Sequence, residues 1–329
     1  MRAPMEYAVV VPTIGRPCLA DCLQALAAAV GPRPAEVVVV DDRPAADGEL
    51  PLGTVDDLPI RVLATGGRGP AAARNAGART VGAPWVVFLD DDVQVLPDWA
   101  ERLAEDLSQA EDRTAGVQGR LTVPLPDDRR PTDWERGTAG LEAAAWATAD
   151  MAYRATVLKE VGGFDERFPR AFREDADLAL RVMDAGWSLR RGRRVTRHPV
   201  RPSGPWASVR AQRGNADDVL MNRLHGRDWW TRAEAPRGRL PGHLATTGLA
   251  CAAVVGMAAG RRRGAALAAA LWTAATAEFA WARIAPGPRT RPETVTMAVT
   301  SVLIPPFAVR HWLAGQIEHR GVRPLGSDR

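Results

Sequence analysis

Residues 85–92, Trp85-Val86-Val87-Phe88-Leu89-Asp90-Asp91-Asp92, decide the fold. The apolar run is five residues long, too short for a helix, and rich in β-branched and aromatic side chains. It reads as a strand buried on both faces, the kind found in parallel sheets covered by helices. It ends in three consecutive aspartates. Carboxylates crowded in this way repel one another unless a cation or strong donors neutralise them. In open α/β sheets, ligands bind outside the carboxyl ends of the strands, where these aspartates fall. Mg²⁺ and Mn²⁺ favour hard oxygen ligands, and Mg²⁺ is commonly shared between carboxylates and substrate phosphates. A solvated acidic loop, the reading that suits Asp127-Asp128, is the competing explanation.

The same pattern recurs on either side. Tyr7–Val11 and Val37–Val40 read as buried strands, the second running into Asp41-Asp42, and Ile60–Leu63 as a short third strand. Helices are expected over Leu19–Val30, Ala71–Thr80 and Asp98–Ala110, with a glycine-rich turn at Gly66–Gly69. Short apolar runs alternating with helices predict a mainly parallel α/β sheet, so Asp41-Asp42 and Asp90–Asp92 should face one crevice. Pro124–Arg136 reads as a loop, and Met151–Val161 and Asp175–Ala185 as helices. No sequence repeat is present.

Two phosphate-binding chemistries fail on the residues. A P-loop needs a glycine-rich loop ending in Lys-Ser/Thr, but the one lysine, Lys159, precedes Glu160. A dinucleotide fold needs G-x-G-x-x-G after the first strand, where this chain has Pro12-Thr13-Ile14-Gly15-Arg16-Pro17.

VVVPTIGRP, VVVVDDRP, GPAAARNAGA, WVVFLDDDV and FREDADLALRV follow one another in an order and spacing that resembles the family 2 glycosyltransferases. The match covers about residues 7–200. The resemblance implies the GT-A fold, an inverting transfer from a nucleoside-diphosphate sugar, and a divalent metal, Mg²⁺ or Mn²⁺. By the same resemblance Pro12 and Thr13 touch the nucleotide, Asp41 contacts the base, and Arg74 and Asn75 line the nucleotide site. Asp90, Asp91 and Asp92 match the DxD segment, with Asp90 and Asp91 toward the donor and Asp92, supported by Asp90, on the metal. His198 falls where some members place a further metal ligand or phosphate contact. Asp175 matches the catalytic base. The chemistry agrees: a metal neutralises the leaving diphosphate, and an acceptor hydroxyl needs a carboxylate to take its proton. Asp177, two residues on, would point to another helix face. The Q-x-x-R-W signature of processive relatives is missing, Gln212-Arg213-Gly214 being a partial echo, which favours single addition. A sugar nucleotidyltransferase would need a fuller glycine-rich loop after strand one. A non-catalytic GT-A protein would be favoured by loss of Asp92 or Asp175, and both are present.

Charge divides the chain. Residues 1–186 carry 20 Lys+Arg against 31 Asp+Glu, and residues 187–329 carry 23 against 8. The acidic part suits metal ions and the basic part suits phosphates or anionic lipid. No nucleic-acid-binding motif accompanies the basic part, so nucleic acid is not expected as a partner. The three cysteines make no zinc pattern and no disulfide framework, and are expected as buried thiols. The apolar run at residues 7–11 is shorter than a secretory h-region, so the N-terminal half is expected in the cytoplasm.

Three apolar stretches close the chain: Leu244–Ala259, Ala265–Ile284 and Val295–Val309, the last broken by Pro305-Pro306. Arg261–Arg263, between the first two, would lie opposite the cytoplasm if both spanned, against the positive-inside tendency. An interfacial or re-entrant hairpin avoids that conflict. The expected organisation is a catalytic domain at 1–200, a basic connector at 201–243 and an α-helical apolar tail at 244–329 on the cytoplasmic face of the cell membrane. A membrane location suits a lipid-linked or cell-envelope glycan acceptor.

Overall fold

In a computed structural model, which describes residues 6–55 and 57–325, the aspartate-tipped strand lies at the centre of an eight-stranded sheet. The chain begins with β1 (Tyr7–Thr13), α1 (Cys18–Ala28), β2 (Glu36–Asp41), β3 (Ile60–Ala64), α2 (Pro70–Thr80) and β4 (Trp85–Leu89). It continues with β5 (Gln94–Val95), α3 (Trp99–Ser108), β6 (Thr114–Thr122), α4 (Asp133–Ala139), β7 (Asp150–Arg154), α5 (Ala155–Glu160), α6 (Glu174–Asp184) and β8 (Ser188–Arg197). The strand order is β3-β2-β1-β4-β7-β6-β8-β5. The pairs β1–β2, β1–β4, β2–β3 and β6–β8 are parallel, and β4–β7, β6–β7 and β5–β8 are antiparallel.

The period-2 alternation of strand side chains divides the core into two layers. Val9, Val11, Val37, Val39, Val87 and Leu89 face Leu19 and Leu23 of α1 and Trp99 and Leu103 of α3. Val10, Val38, Val40, Val86 and Phe88 face Ala71 and Ala73 of α2, Val157 of α5 and Leu178 and Val182 of α6. Register Thr13↔Asp41 brings the carboxyl ends of β1 and β2 level.

Met151–Val161 is not one helix. Asp150–Arg154 is a strand inserted antiparallel between β4 and β6, and only Ala155–Glu160 is helical. A short apolar run buried on both sides has no period that separates strand from helix, and the sheet decided it. The stretch read as a loop up to Arg136 contains the start of α4. Strands β6 and β8 carry weak strand signals in the sequence: β6 contains Gly116 and Gly119, and β8 carries arginines at 190, 191, 193, 194 and 197.

A buried ion pair holds β8 to the sheet. Arg194 Nε donates to Asp150 Oδ1 at 2.8 Å, and Thr196 Oγ1 and Trp99 Nε1 donate to Asp150 Oδ2 at 2.6 and 2.8 Å. Arg194 and Asp150 are both fully buried. A Cβ at Gly119 would collide with the Asp150 carboxylate. Gly119→Ala is therefore expected to lower stability by about 1–3 kcal/mol, the usual cost of overpacking, read as a lower urea midpoint with unchanged slope.

The chain divides into two units. The first comprises Met1–Pro124, Gly140–Val200 and Thr231–Ala235 and holds the sheet. The second comprises Leu125–Ala139, Arg201–Trp230 and Pro236–Arg329. After α4, the remaining helices are α7 (Ala207–Arg210), α8 (Gly214–His225), α9 (Trp229–Arg232), α10 (Leu240–Ala258), α11 (Arg262–Ile284) and α12 (Arg291–Glu318). The last three are long and apolar enough to cross a membrane. Pro305-Pro306 does not break the third: α12 runs through both residues. Burial of Ile304, Pro305 and Ala308 offsets the roughly 3 kcal/mol cost of an interior proline. Of the three cysteines only Cys22 is buried, and Cys251 is exposed on α10.

Candidate active site

The carboxyl ends of β2 and β4 place five aspartates, Asp41, Asp42 and Asp90–Asp92, on one rim of the first unit beside the end of β1. Asp91 is buried and points back into the fold. Its Oδ2 accepts from Thr13 Oγ1 at 2.6 Å and its Oδ1 pairs with Arg16 Nη1 at 2.9 Å, tying β4 to the turn after β1. Asp42 closes the glycine turn, accepting from the N–H groups of Arg68 and Gly69, both at 2.8 Å, and from Thr65 Oγ1 at 2.7 Å. Gly69 takes φ +95, which glycine adopts without strain.

Asp41 lies at the end of β2, level with Pro12 and Thr13 across the β1 pairing. Arg43 clasps its carboxylate in a fork, with Nε at 2.9 and 3.1 Å from the two oxygens and Nη2 at 2.7 Å from Oδ2. This hydrogen bonding holds the Asp41 carboxyl below the usual carboxylate range. A cavity of about 730 Å³ opens beside the pair, lined by Asp41, Arg43, Leu50, Leu52 and Val62 among others.

Asp90, Asp92 and His198 come together. One ligand atom from each lies within 4.8 Å of the others, and His198 Nε2 is 3.6 Å from Asp92 Oδ1. His198 follows β8, and its N–H donates to Thr122 O at 2.8 Å, so the Asp150–Arg194 anchor on that strand also sets the position of the imidazole. Two carboxylates suit Mg²⁺ or Mn²⁺, and an added imidazole favours a transition metal over Mg²⁺. The donor set fits such an ion.

Arg74 connects this triad to α6. It is buried, with Nη2 2.7 Å from Asp90 Oδ1 and Nη1 2.7 Å from Glu174 Oε1. Glu174 precedes Asp175 at the start of α6, so one guanidinium holds the aspartate triad and the base candidate at a fixed separation. Asn75, the next residue on α2, exchanges hydrogen bonds with the Phe164 backbone, donating to its O at 2.9 Å and accepting from its N at 2.8 Å. Arg74 and Asn75 thus hold the interior of the site. Replacing Arg74 with Met leaves Asp90 and Glu174 uncompensated, and breaking such a buried pair costs about 3–5 kcal/mol. A correspondingly lower unfolding midpoint is expected, with Arg74→Lys retaining part of the loss.

Asp175 is partly exposed, and its Oδ1 accepts from the Ala176 N–H at 2.7 Å. Burial pushes its carboxyl up, and the Asp90 charge adds to this, while the Ala176 N–H, Arg74 and Arg173 oppose the shift. Burial and the Asp175 charge push the Glu174 carboxyl up as well, against Arg74. Arg173, the residue before α6, is left-handed at φ +77 with its guanidinium over the Phe172 ring at 4.3 Å. Non-glycine residues in that region store strain, a common property of functional turns. Asp177 is fully buried and paired with Arg181 at 2.6 Å. Arg16, Arg43 and Glu174 were not singled out from the sequence, although all three lie inside the quoted motifs.

The family model for glycosyl transferase family 2 matches residues 8–173 of this chain, which covers the aspartate rim, Arg74 and the approach to α6. The chain belongs to glycosyl transferase family 2. Over 169 residues it is 32% identical to the pre-mycofactocin glycosyltransferase of Mycobacterium tuberculosis, covering 47% of this chain and 35% of that protein. Over 71 residues it is 39% identical to the succinoglycan biosynthesis protein ExoO of Rhizobium meliloti, covering 21% and 20%. The chain therefore spans about a third or less of the length of these relatives. Among solved structures, the mannosyltransferase PcManGT of Pyrobaculum calidifontis, in complex with GDP-Man and Mn²⁺, superposes with a TM-score of 0.53 at 19% identity. That match covers 96% of this chain and 87% of that one, and it shows the GT-A fold for this family 2 member.

Proposed function

We propose that this family 2 protein transfers single sugars, with inversion, from a nucleoside-diphosphate sugar to an acceptor hydroxyl, and that Asp175 is the general base. The observation that carries the reading is the Arg74 bridge, which keeps the Asp90/Asp92/His198 cluster beside Glu174-Asp175. Diphosphate stabilisation and proton removal then occur at adjacent places on one rim. Pro12, Thr13 and Asp41 border the nucleotide, and the cavity beside Asp41 and Arg43 takes its base. Asp92, Asp90 and His198 hold Mg²⁺ or Mn²⁺, the latter present in the mannosyltransferase structure. A bound metal neutralises charge developing on the leaving nucleoside diphosphate. Asp175 takes the acceptor proton as the hydroxyl attacks the anomeric carbon from the face opposite the leaving group.

The acceptor is a lipid-linked or cell-envelope glycan, and the second unit holds the protein on the cytoplasmic face of the membrane. Supporting this are the exposed apolar faces of α10 and α11, including Val254 at 71% and Leu267 at 63% exposure, and the exposed Arg261–Arg263 between them. Burying such side chains contributes about 25 cal/mol per Å², and nearby arginines add attraction to anionic lipid. The deciding assay is a panel of nucleotide sugars with Mn²⁺, scored for nucleoside-diphosphate release. One donor should stand out and lose its turnover in EDTA. Release from none of them in the presence of membrane extract would overturn the proposal.

A further inference from the structure

By length and composition α10, α11 and α12 all qualify as membrane spans, but their surroundings within the second unit differ. Only 11% and 17% of the apolar windows of α10 and α11 are buried, against 33% for α12. Among the described residues, α10 buries only His243 and Thr246. The buried residues of α12 are Met297, Thr300, Ser301, Ile304, Pro305, Ala308 and Gly315, which recur at helical spacing along most of its length.

α12 packs against α8, α10 and α11, and its polar contacts run to α4, α7, α8 and the end of α11. Near its start, Glu293 accepts from the Asp133 N–H of α4 at 2.8 Å. One turn further, Arg283, at the end of α11, links that helix to α4, α7 and α12: it donates to Asp133 at 2.8 Å, Ser208 at 3.1 Å, Thr300 at 2.8 Å and Ser301 at 3.0 Å. Near its end, a Cβ on Gly315 would stand 2.8 Å from the Ala216 Cα of α8, and Gln316 accepts from Arg223 of α8 at 3.2 Å. Past the helix, the Leu325 N–H donates to Leu224 O at 3.0 Å.

From Glu293 to Gln316 a helix rises about 35 Å. That exceeds the roughly 30 Å of a bilayer's hydrocarbon core. If α12 crossed, α4 and α8 would be drawn through the bilayer with it. α8 carries Asn215, Asp217, Asp218, Asn222, Arg223 and His225 in twelve residues. Each charged residue at mid-bilayer costs about 2.5–3.5 kcal/mol. The α10–α11 hairpin packs on α12 and is tied to α4 and α7 through Arg283 at the end of α11, yet most of its apolar windows stay unburied. Its exposed face is apolar, its one acidic residue, Glu278, is paired with Arg239 at 3.1 Å, and arginines stand at both ends.

We infer that only the α10–α11 hairpin enters the bilayer, and that α12 is a water-side buttress that keeps the segment after it on the side of α4, α7 and α8. This rests on the membrane reading above and adds a topology to it. Single thiols at Arg227, just after α8, and at Gly321, just after α12, test it. Both positions are exposed, and a Cβ on Gly321 meets nothing within 4 Å. Arg227→Cys and Gly321→Cys, each in a Cys251→Ala background, are labelled with a membrane-impermeant maleimide in right-side-out and inverted vesicles from expressing cells. Detergent-opened vesicles set full labelling, and the Cys251→Ala parent sets the baseline. Both thiols should label in the same vesicle orientation. Labelling in opposite orientations, or a Gly321→Cys thiol shielded in both, overturns the inference alone. Full-length protein found in the soluble fraction, with the hairpin covered by a second copy, overturns the inference and the membrane reading together.

Discussion

Asp92→Ala is expected to abolish metal-dependent donor binding and to cut turnover by roughly 10²–10³-fold or more, the range seen when a group that stabilises transition-state charge is removed. Asp92 is buried and 3.6 Å from His198, which with Asp90 completes the ligand cluster. Loss of one hard oxygen leaves an aspartate that Arg74 already holds at 2.7 Å and a lone imidazole. Titration with Mn²⁺, followed by the metal's magnetic resonance signal, should show tight binding to the native chain and little to the variant. Asp91→Asn is the internal control. Its carboxylate is engaged by Thr13 and Arg16, so it should change stability more than metal affinity. Native activity that persists in excess EDTA, or an Asp92→Ala protein that binds Mn²⁺ as the native one does, would dismiss the metal role.

Asp175→Asn should lower the rate of transfer by roughly 10²–10⁴-fold, the usual contribution of a general base, with donor affinity little altered. The pH profile provides a second readout. A base works only when deprotonated, so the rate falls as pH drops through its pKa. Burial raises the Asp175 pKa, so the acid limb of kcat should lie above the ordinary carboxylate range. In Asp175→Asn that limb should disappear from the residual rate. Asp177→Asn separates the two carboxylates of α6. It releases the Asp177–Arg181 pair, a fully buried carboxylate, and should cost stability while leaving the acid limb in place. An inactive Asp177→Asn beside an active Asp175→Asn would reassign the base.

The sequence by itself determined the central strands and their aspartate tips. Val9–Val11, Val37–Val40 and Val86–Leu89 are short, continuous, valine-rich runs buried on both faces, and their length and β-branched content mark them as strands. The motif order also determined the family, because five short patterns at fixed spacing constrain the chain more than any one of them does. Only the tertiary structure decided how these residues divide their roles. Nothing local separates Asp90 from Asp91 and Asp92: Asp91 turns inward to Thr13 and Arg16, while its neighbours meet His198 from a strand about a hundred residues away. Arg74 is an arginine on an alanine-rich helix until folding places Asp90 and Glu174 on either side of it. Strand β7 becomes a strand because β4 and β6 offer unpaired edges on either side. For α10, α11 and α12, hydropathy is nearly the same, and the difference lies in the neighbours. α8 packs on α12, whereas the α10–α11 hairpin packs on α12 and leaves most of its apolar surface unburied, and partner choice of that kind is set by packing over long sequence distances, to which composition and periodicity are blind.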